Sequence, residues 1–537
     1  MKKKIALFLV FVLITTLFAA CGGEIEDAPN VLKWDIGPEP YSLDPQLNFS
    51  NDGGNIINNT FEGLMRESNG ELVPGMAESY EITQEGTVYT FYLKDAQWSD
   101  GNPVTANDFE YAWKRACDPN LEPEPARYSY QLFYIKGAQE AIEGKGSPDD
   151  VAVTALDEKT LKVELLSPTP YFLDLTTFYT YMPVRADMIE KDTDGWARNP
   201  ETAVSNGPFV LTEYKAGESL TLSKNQNYWD SDNVNLDYIE GFFIVEENTM
   251  LSAYEAGEVD VIPDVPIQEI PRLKENNSDF YILPSIGTNY YIFNTQKEPM
   301  DDPLVRKALS YVINRTAIVE KITQGEEAEA TGFVPIGLLD EEGNDFREIA
   351  GDYGIDKATG NVERAKELLA EAGYPNGEGF PTLELIFNSY GSHQAVAEAI
   401  QQMWKKELGI DIRILNQEWG ALQDNIYSGN FEIASGGWTA DYADPTTMLD
   451  IWLSYSGNNT AKWDSKRYDA LIEESKTITG QERFDCLYEA EALLMDAMIV
   501  APILYYTDTV MVKDYVKDWQ KTKLGLWYFG QTQIVNE

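Results

Sequence analysis

Apolar and polar side chains change period along this chain in a way that separates strands from helices. Tyr89, Phe91 and Leu93 alternate with Thr90 and Tyr92, a period of two that predicts a strand. Thr105 followed by Asp108 has the spacing of a helix cap, and Phe109, Ala112 and Trp113 fall on one face of the helix it opens. The second half repeats the change. Leu383, Leu385 and Phe387 predict a strand, and Ser392 opens a helix with Val396, Ala399, Ile400, Met403 and Trp404 on one stripe, stopped at Gly409. Ile410, Ile412 and Ile414 then predict another strand. Strand, helix and strand in succession imply parallel pairing and an α/β class. Gly373 stands where a C′ residue would end a helix over 365–372.

The N-terminal pattern is of another kind. Lys2, Lys3 and Lys4 precede an almost unbroken apolar run over 5–20. As a helix rising about 1.5 Å per residue that run reaches roughly 24 Å, short of the about 30 Å of bilayer hydrocarbon, so it reads as an export signal rather than a permanent span. Ala19-Ala20-Cys21-Gly22 resembles the lipobox of bacterial lipoproteins, whose cysteine is lipidated and becomes the mature N-terminus. Phe18 stands where that motif usually has leucine, and ordinary secretory cleavage nearby is the alternative. Residues 22–30, small, acidic and poor in apolar side chains, read as a flexible tether.

Composition narrows the class further. After the signal the chain is longer than one hydrophobic core supports, which argues for two or three domains. Against 41 Lys+Arg stand 89 Asp+Glu, a formal net charge of -48, and the acids are spread without a polyacidic tail. Such a surface repels nucleic acid and anionic headgroups, so no nucleic-acid partner is expected. Cys117 and Cys486 could pair, but two cysteines in a chain of this length are no disulfide framework, and stability must come from burial.

Little in the chain supports catalysis. There is a single histidine, His393, so a site needing two helical histidines is impossible and a Ser/His/Asp triad would have to use that one residue. No Gly-x-Ser-x-Gly elbow, Walker A loop or dinucleotide fingerprint is present. Asp192-Thr193-Asp194-Gly195 resembles only the start of a calcium loop and reads as a polar turn. Twelve tryptophans with many acids could suggest a glycoside hydrolase, but among 89 acids close pairs arise by chance. No metal, cofactor or catalytic residue is expected.

Longer strings are more specific. Tyr89 to Leu93, followed by Trp98-Ser99-Asp100-Gly101-Asn102-Pro103-Val104-Thr105-Ala106-Asn107-Asp108-Phe109, resembles the signature of solute-binding protein family 5, the peptide-binding components of ABC importers. Asn206-Gly207-Pro208-Phe209, 225–229, 302–315 (DPLVRKALSYVINR), 365–374 and Trp438-Thr439-Ala440-Asp441-Tyr442 continue the resemblance over nearly all of the mature chain, in the family's order. Most of these strings read as architecture: a turn, cap and buried helix face at 98–109, a backbone turn at 206–208, and a structural ion pair at Arg306.

The resemblance implies two lobes of a periplasmic-binding-protein-like fold with three subdomains. Residues 31–61, 186–287 and 508–537 would form lobe I, 62–185 an inserted subdomain II, and 288–507 lobe II. The ligand cleft would lie between the lobes, with the chain crossing near Thr288 and near Tyr506 as a hinge. By the same resemblance Asp441 pairs with the free α-ammonium of a peptide, a role a carboxylate in a closed cleft suits. Asn51, beside Phe49 and Ser50, together with Gly437, Trp438, Thr439 and Tyr506, would hold ligand backbone by strand-like hydrogen bonding. Gly436-Gly437 marks either a close approach of ligand or a bulge. Trp419 is either a pocket wall or core, and His393 lies either near the ligand's C-terminus or on the surface at a helix start. Two arginines that help hold a ligand carboxylate in well-known oligopeptide binders align here with Ser435 and Ile426, which admits longer peptides whose tails leave the cleft.

The implied function is extracytoplasmic capture of short peptides by a monomer, lipid-anchored through Cys21 to the cell membrane, and their delivery to the permease of an ABC importer. A family member carrying a nickel complex, haem, an opine or an oligosaccharide, a peptide-pheromone receptor, and an extracellular hydrolase are the rival readings. Anchoring is directly testable. Cys21→Ala should be exported yet leave the membrane fraction, because no other span would hold it; equal retention of the variant on fractionation counts against lipidation.

Overall fold

The computed structural model describes residues 29–535 other than 389 and 390. The expected signal segment with Cys21, and the tether up to residue 28, lie outside the described residues. Asn30, assigned to the tether, is already fixed: its amide donates to Asp237 Oδ2 at 2.8 Å and its carbonyl accepts from the Asp237 amide.

Eleven strands form one mixed sheet. In chain order they are β1 (Val31–Asp35), β2 (Phe209–Lys215), β3 (Ser219–Lys224), β4 (Tyr238–Phe242), β5 (Val261–Ile262), β6 (Phe280–Phe293), β7 (Ala328–Glu329), β8 (Leu383–Phe387), β9 (Ile412–Asn416), β10 (Ile433–Thr439) and β11 (Val500–Val512). Their spatial order is β9-β8-β10-β6-β11-β5-β1-β4-β3-β2, with β7 against β11. Strands β8 and β9 pair in parallel, Leu383 opposite Ile412, and are joined by the helix His393–Met403 with Ser392 at its N-cap. Gly409 beyond that helix has φ +73° and Gly373 has φ +96°, backbone that favours a residue without Cβ. A separate four-stranded antiparallel sheet carries Val88–Leu93, and the Ala106–Ala116 helix has the expected capping box of Thr105 and Asp108.

The hydrophobic interior is divided. One cluster gathers residues from Ile286 to Leu504 and a second those from Ile57 to Val204. A third unites Leu32 and Trp34 with residues around Leu220 and with Val510 to Phe529; a small fourth lies around Met250 to Leu273. The two long strands β6 and β11 thread between the first cluster and the third along the sheet. In β6, Tyr281 and Leu283 pack on the third cluster while Ile286 and Tyr290 to Phe293 belong to the first. In β11, Val500 to Leu504 belong to the first and Val510 and Val512 to the third. The register of this pair breaks between Pro284 and Thr288, just where the strands change core.

Among the described residues Arg306 forms no ion pair, against the expectation from the sequence. Its guanidinium donates to the carbonyls of Ala497, Met498 and Met300, two of them left without intrahelical partners at the end of the Gln481–Ala497 helix, and burial lowers its pKa to about 10. Cys117 is buried in the second cluster and Cys486 packs on the first; both are free thiols.

Within the first cluster, the carboxylate of Glu491 is 0% exposed. It accepts from both terminal nitrogens of Arg347 at 2.6 and 2.8 Å, from the amides of Phe333 and Val334 at 2.8 Å, and from the Tyr353 hydroxyl at 2.6 Å. Removing one partner of such a pair strands a buried charge, so Glu491→Ala should cost about 3–5 kcal/mol. Urea unfolding followed by tryptophan fluorescence should show the loss; a midpoint unchanged from wild type contradicts it.

Candidate functional site

The carboxyl ends of three parallel strands define one edge of the sheet. Strand β8 pairs in parallel with both β9 and β10, so Phe387, Asn416 and Thr439 close their strands at the same side. Crevices outside the carboxyl ends of such strands are where α/β sheets bind ligands. Each strand here is followed by an expected site residue: β8 by His393, β9 by Trp419, β10 by Asp441. Tyr506 in β11 joins them, because Thr288 of β6 lies opposite both Trp438 and Tyr505.

Asp441 is the centre of this edge. It is 6% exposed, its amide donates to Thr447 Oγ1 at 2.9 Å, and its Oδ2 accepts from the Tyr130 hydroxyl at 2.8 Å. Tyr130 comes from a short 3-10 turn, Ser129–Tyr134, beside the second core, 311 residues away in sequence. The carboxylate therefore sits between two separately built bodies. Burial, reinforced by Asp450, pushes its pKa up to about 7 against the hydrogen bond from Tyr130. Among the described residues no Lys or Arg forms an ion pair with it, whereas nearby Asp444 is paired with Arg483 at 2.6 Å.

The remaining expected residues divide. Trp438 is half-buried, its indole Nε1 donating to the Thr447 carbonyl at 3.1 Å, so it braces the Asp441 loop. Gly437 and Tyr506 meet directly: a Cβ at 437 would strike the Tyr506 hydroxyl, which accepts from Asn289 Nδ2 at 3.2 Å. Strand β10 pairs with β6 without a break from Ile433 to Thr439, so Gly437 marks a close approach, by a side chain of this protein, and not a bulge. Thr439 lies opposite Gly287, half-buried. Trp419, 58% exposed, opens the Trp419–Ser428 helix and is not core. His393 is half-buried, its Nδ1 bonded to Asn388 Oδ1, and burial lowers its pKa, so the ring is held at the end of β8 rather than free on the surface. Asn51 is exposed at the start of the Asn51–Thr60 helix, after the N-cap Ser50. Ile426 is buried in the first cluster and Ser435 is buried opposite Tyr291, so neither position offers a polar group to the cleft edge.

Sequence reasoning missed the opposing wall. Besides Tyr130 it contains Tyr134 and Tyr171, both in the second core, and the Arg127 guanidinium 3.9 Å from the Phe49 ring centroid. The only sequence signal was three tyrosines, Tyr128, Tyr130 and Tyr134, in a stretch with neither helical nor strand period.

With this geometry in hand, likeness to known proteins can be weighed. Residues 71–460 match the profile of the bacterial extracellular solute-binding proteins, family 5 (middle region). The oligopeptide-binding protein OppA of Bacillus subtilis is 39% identical over 551 residues, covering 98% of this chain and 99% of that one. OppA of Haemophilus influenzae, solved in complex with RPPGFSPFR, superposes with a TM-score of 0.82 at 30% identity, covering 95% of this chain and 100% of that chain. The murein tripeptide binding protein MppA of Escherichia coli gives 0.84 at 33% identity, covering 96% and 100%; MppA in its unliganded open form gives 0.72 at the same identity, covering 96% and 99%. The chain belongs to the bacterial extracellular solute-binding proteins of family 5.

Proposed function

We propose that this chain is the extracytoplasmic peptide-binding component of an ABC importer. It captures oligopeptides between its lobes by their backbone and their N-terminal amine, and delivers them to the membrane permease. One observation carries the reading: Asp441 is a desolvated carboxylate at the junction of two lobes, held by a neutral hydroxyl and, among the described residues, lacking a cation. An α-ammonium, the feature nearly all peptides share, supplies the missing charge. Gly437, Trp438, Thr439, Tyr506 and Asn51 are the proposed backbone contacts, Trp419 a wall at the mouth, and His393 a neighbour of the far end. The lobes are 31–61 with 186–287 and 508–537, and 288–507, with 62–185 as the inserted subdomain, and the hinge is the register break of β6 against β11.

Aliphatic Ile426 and buried Ser435 leave no cation at the two positions where a carboxylate clamp would stand, which suits longer peptides. Consistent with this, the Haemophilus influenzae relative was solved with a nine-residue peptide. The matched relatives are named for binding rather than turnover, and no catalytic step is part of the proposal. A lipid anchor at Cys21 and a monomeric state complete it.

Asp441→Asn keeps the shape and removes the countercharge. Leaving the ligand's ammonium unpaired in the cleft costs about 2–5 kcal/mol, so affinity for a free-amine peptide should fall roughly thirtyfold to several thousandfold by titration calorimetry. N-acetylating the peptide should hurt wild type similarly, and the two losses should not add. Full additivity, or unchanged affinity with the fold intact, places the amine elsewhere.

Proton linkage gives an independent check. Burial holds the Asp441 carboxyl protonated below about 7. An ammonium pairs with the carboxylate, so binding must expel that proton. Affinity should weaken from about pH 7.5 to about pH 5.5, by at most roughly tenfold per unit, and the slope should vanish in Asp441→Asn. A slope that survives the substitution assigns the titration to another group.

A further inference from the structure

The residue beside Asp441 crosses the cleft. Tyr442 belongs in sequence to the lobe of residues 288–507, yet it is 2% exposed inside the second hydrophobic cluster, among residues contributed by 57–204. Its ring stacks on Tyr171 at 5.2 Å between centroids and 9° between planes. Its hydroxyl meets that of Tyr134 at 3.0 Å and lies 3.4 Å from Asp450 Oδ2. Behind the stack the Arg483 guanidinium, fixed by Asp444 at 2.6 Å, lies 5.0 Å from the Tyr171 ring centroid. At the margin the Ser167 hydroxyl donates to the Lys476 carbonyl. The contacts of Tyr442 with Tyr171 and Tyr134, of Arg483 with Tyr171 and of Ser167 with Lys476 join the two lobes.

Taking the lobes apart would draw a tyrosine out of the opposite core and expose both faces of the stack, a cost independent of what fills the cleft. We infer that Tyr442 is a positioning residue that, docked between Tyr171 and Tyr134, holds the lobes closed and carries Asp441 to Tyr130, so that it sets the affinity for every peptide alike. The inference rests on the proposed peptide-binding function for its affinity readout. Apparent affinity scales with the fraction of protein already in the binding-competent arrangement, so loosening the dock should weaken all ligands by one common factor.

The test uses the full mature chain with Tyr442→Ala, Tyr442→Phe and Tyr134→Phe, a free-amine pentapeptide, and its N-acetylated counterpart. For Tyr442→Ala, ligand-free small-angle scattering should show a larger radius of gyration than wild type. Calorimetry should show roughly tenfold to hundredfold weaker binding of both peptides, with their affinity ratio unchanged. Tyr442→Phe and Tyr134→Phe cover the case in which alanine unfolds. Each should weaken binding roughly two- to fivefold, and the double variant no more than Tyr442→Phe alone, because both delete one hydroxyl contact. Wild-type scattering from the alanine variant, a loss confined to the free-amine peptide, or additive phenylalanine losses would each overturn the inference. If wild type binds neither peptide, the proposed function fails while the scattering comparison still decides the dock.

Discussion

Everything in this molecule hangs on one pair of strands. β6 and β11 lie side by side, and each begins in one hydrophobic core and ends in another. Their pairing is interrupted between Pro284 and Thr288 and again between Asn289 and Tyr290, where the strands pass from one core to the other. That pair, together with the contacts of Tyr442 with Tyr134 and Tyr171, brings the sheet edge where β8, β9 and β10 end against the turn bearing Tyr130. A site shared between two cores needs such a tie: contacts within either core alone would not bring Asp441 to Tyr130.

Several buried carboxylates are paired: Glu491 with Arg347, Asp444 with Arg483, and Asp44 with Arg115. Asp35, held by the amides of Gly37 and Ile244, and Asp441 are buried without such a partner among the described residues, and burial pushes the pKa of each up to about 7. The Asp441 carboxylate is held by the Tyr130 hydroxyl, and its raised pKa records the cost of burying the charge. A neutral donor fixes the carboxylate's orientation without satisfying its charge, and under the proposed function that charge is left for the ligand's ammonium.

What the sequence revealed about this arrangement depended on how locally each feature is encoded. The strand and helix around Leu383 to Ile414, the capping pair Thr105 and Asp108, and the glycines at 373 and 409 are written in spacings of two to four residues, and they fold as those spacings direct. Asp441 and Trp438 could be singled out because their string is contiguous. The facing tyrosines could not. Tyr130 meets Asp441 across 311 residues and Tyr134 meets Tyr442 across 308, from a turn that has no period to betray which way its side chains point. Arg306 shows the converse limit: arginine next to aspartates suggests an ion pair, but the carbonyls it satisfies belong to a helix end that only the tertiary fold brings near.

The phenolic character of the contact between the lobes has a consequence for the medium outside the cell. Two bodies in a chain carrying a formal -48 repel one another, and the repulsion reaches only about 8 Å at physiological ionic strength but far further in dilute water. Tyr134, Tyr171 and Tyr442 are held neutral, burial raising each well clear of the working range, so their attraction is indifferent to dissolved ions. Ionic strength therefore acts on the repulsive side of the balance alone. Salt should ease the approach of the two bodies even where it weakens the bond to a charged ligand, and the mineral content of the surroundings thus enters the protein's working equilibrium with two opposite signs.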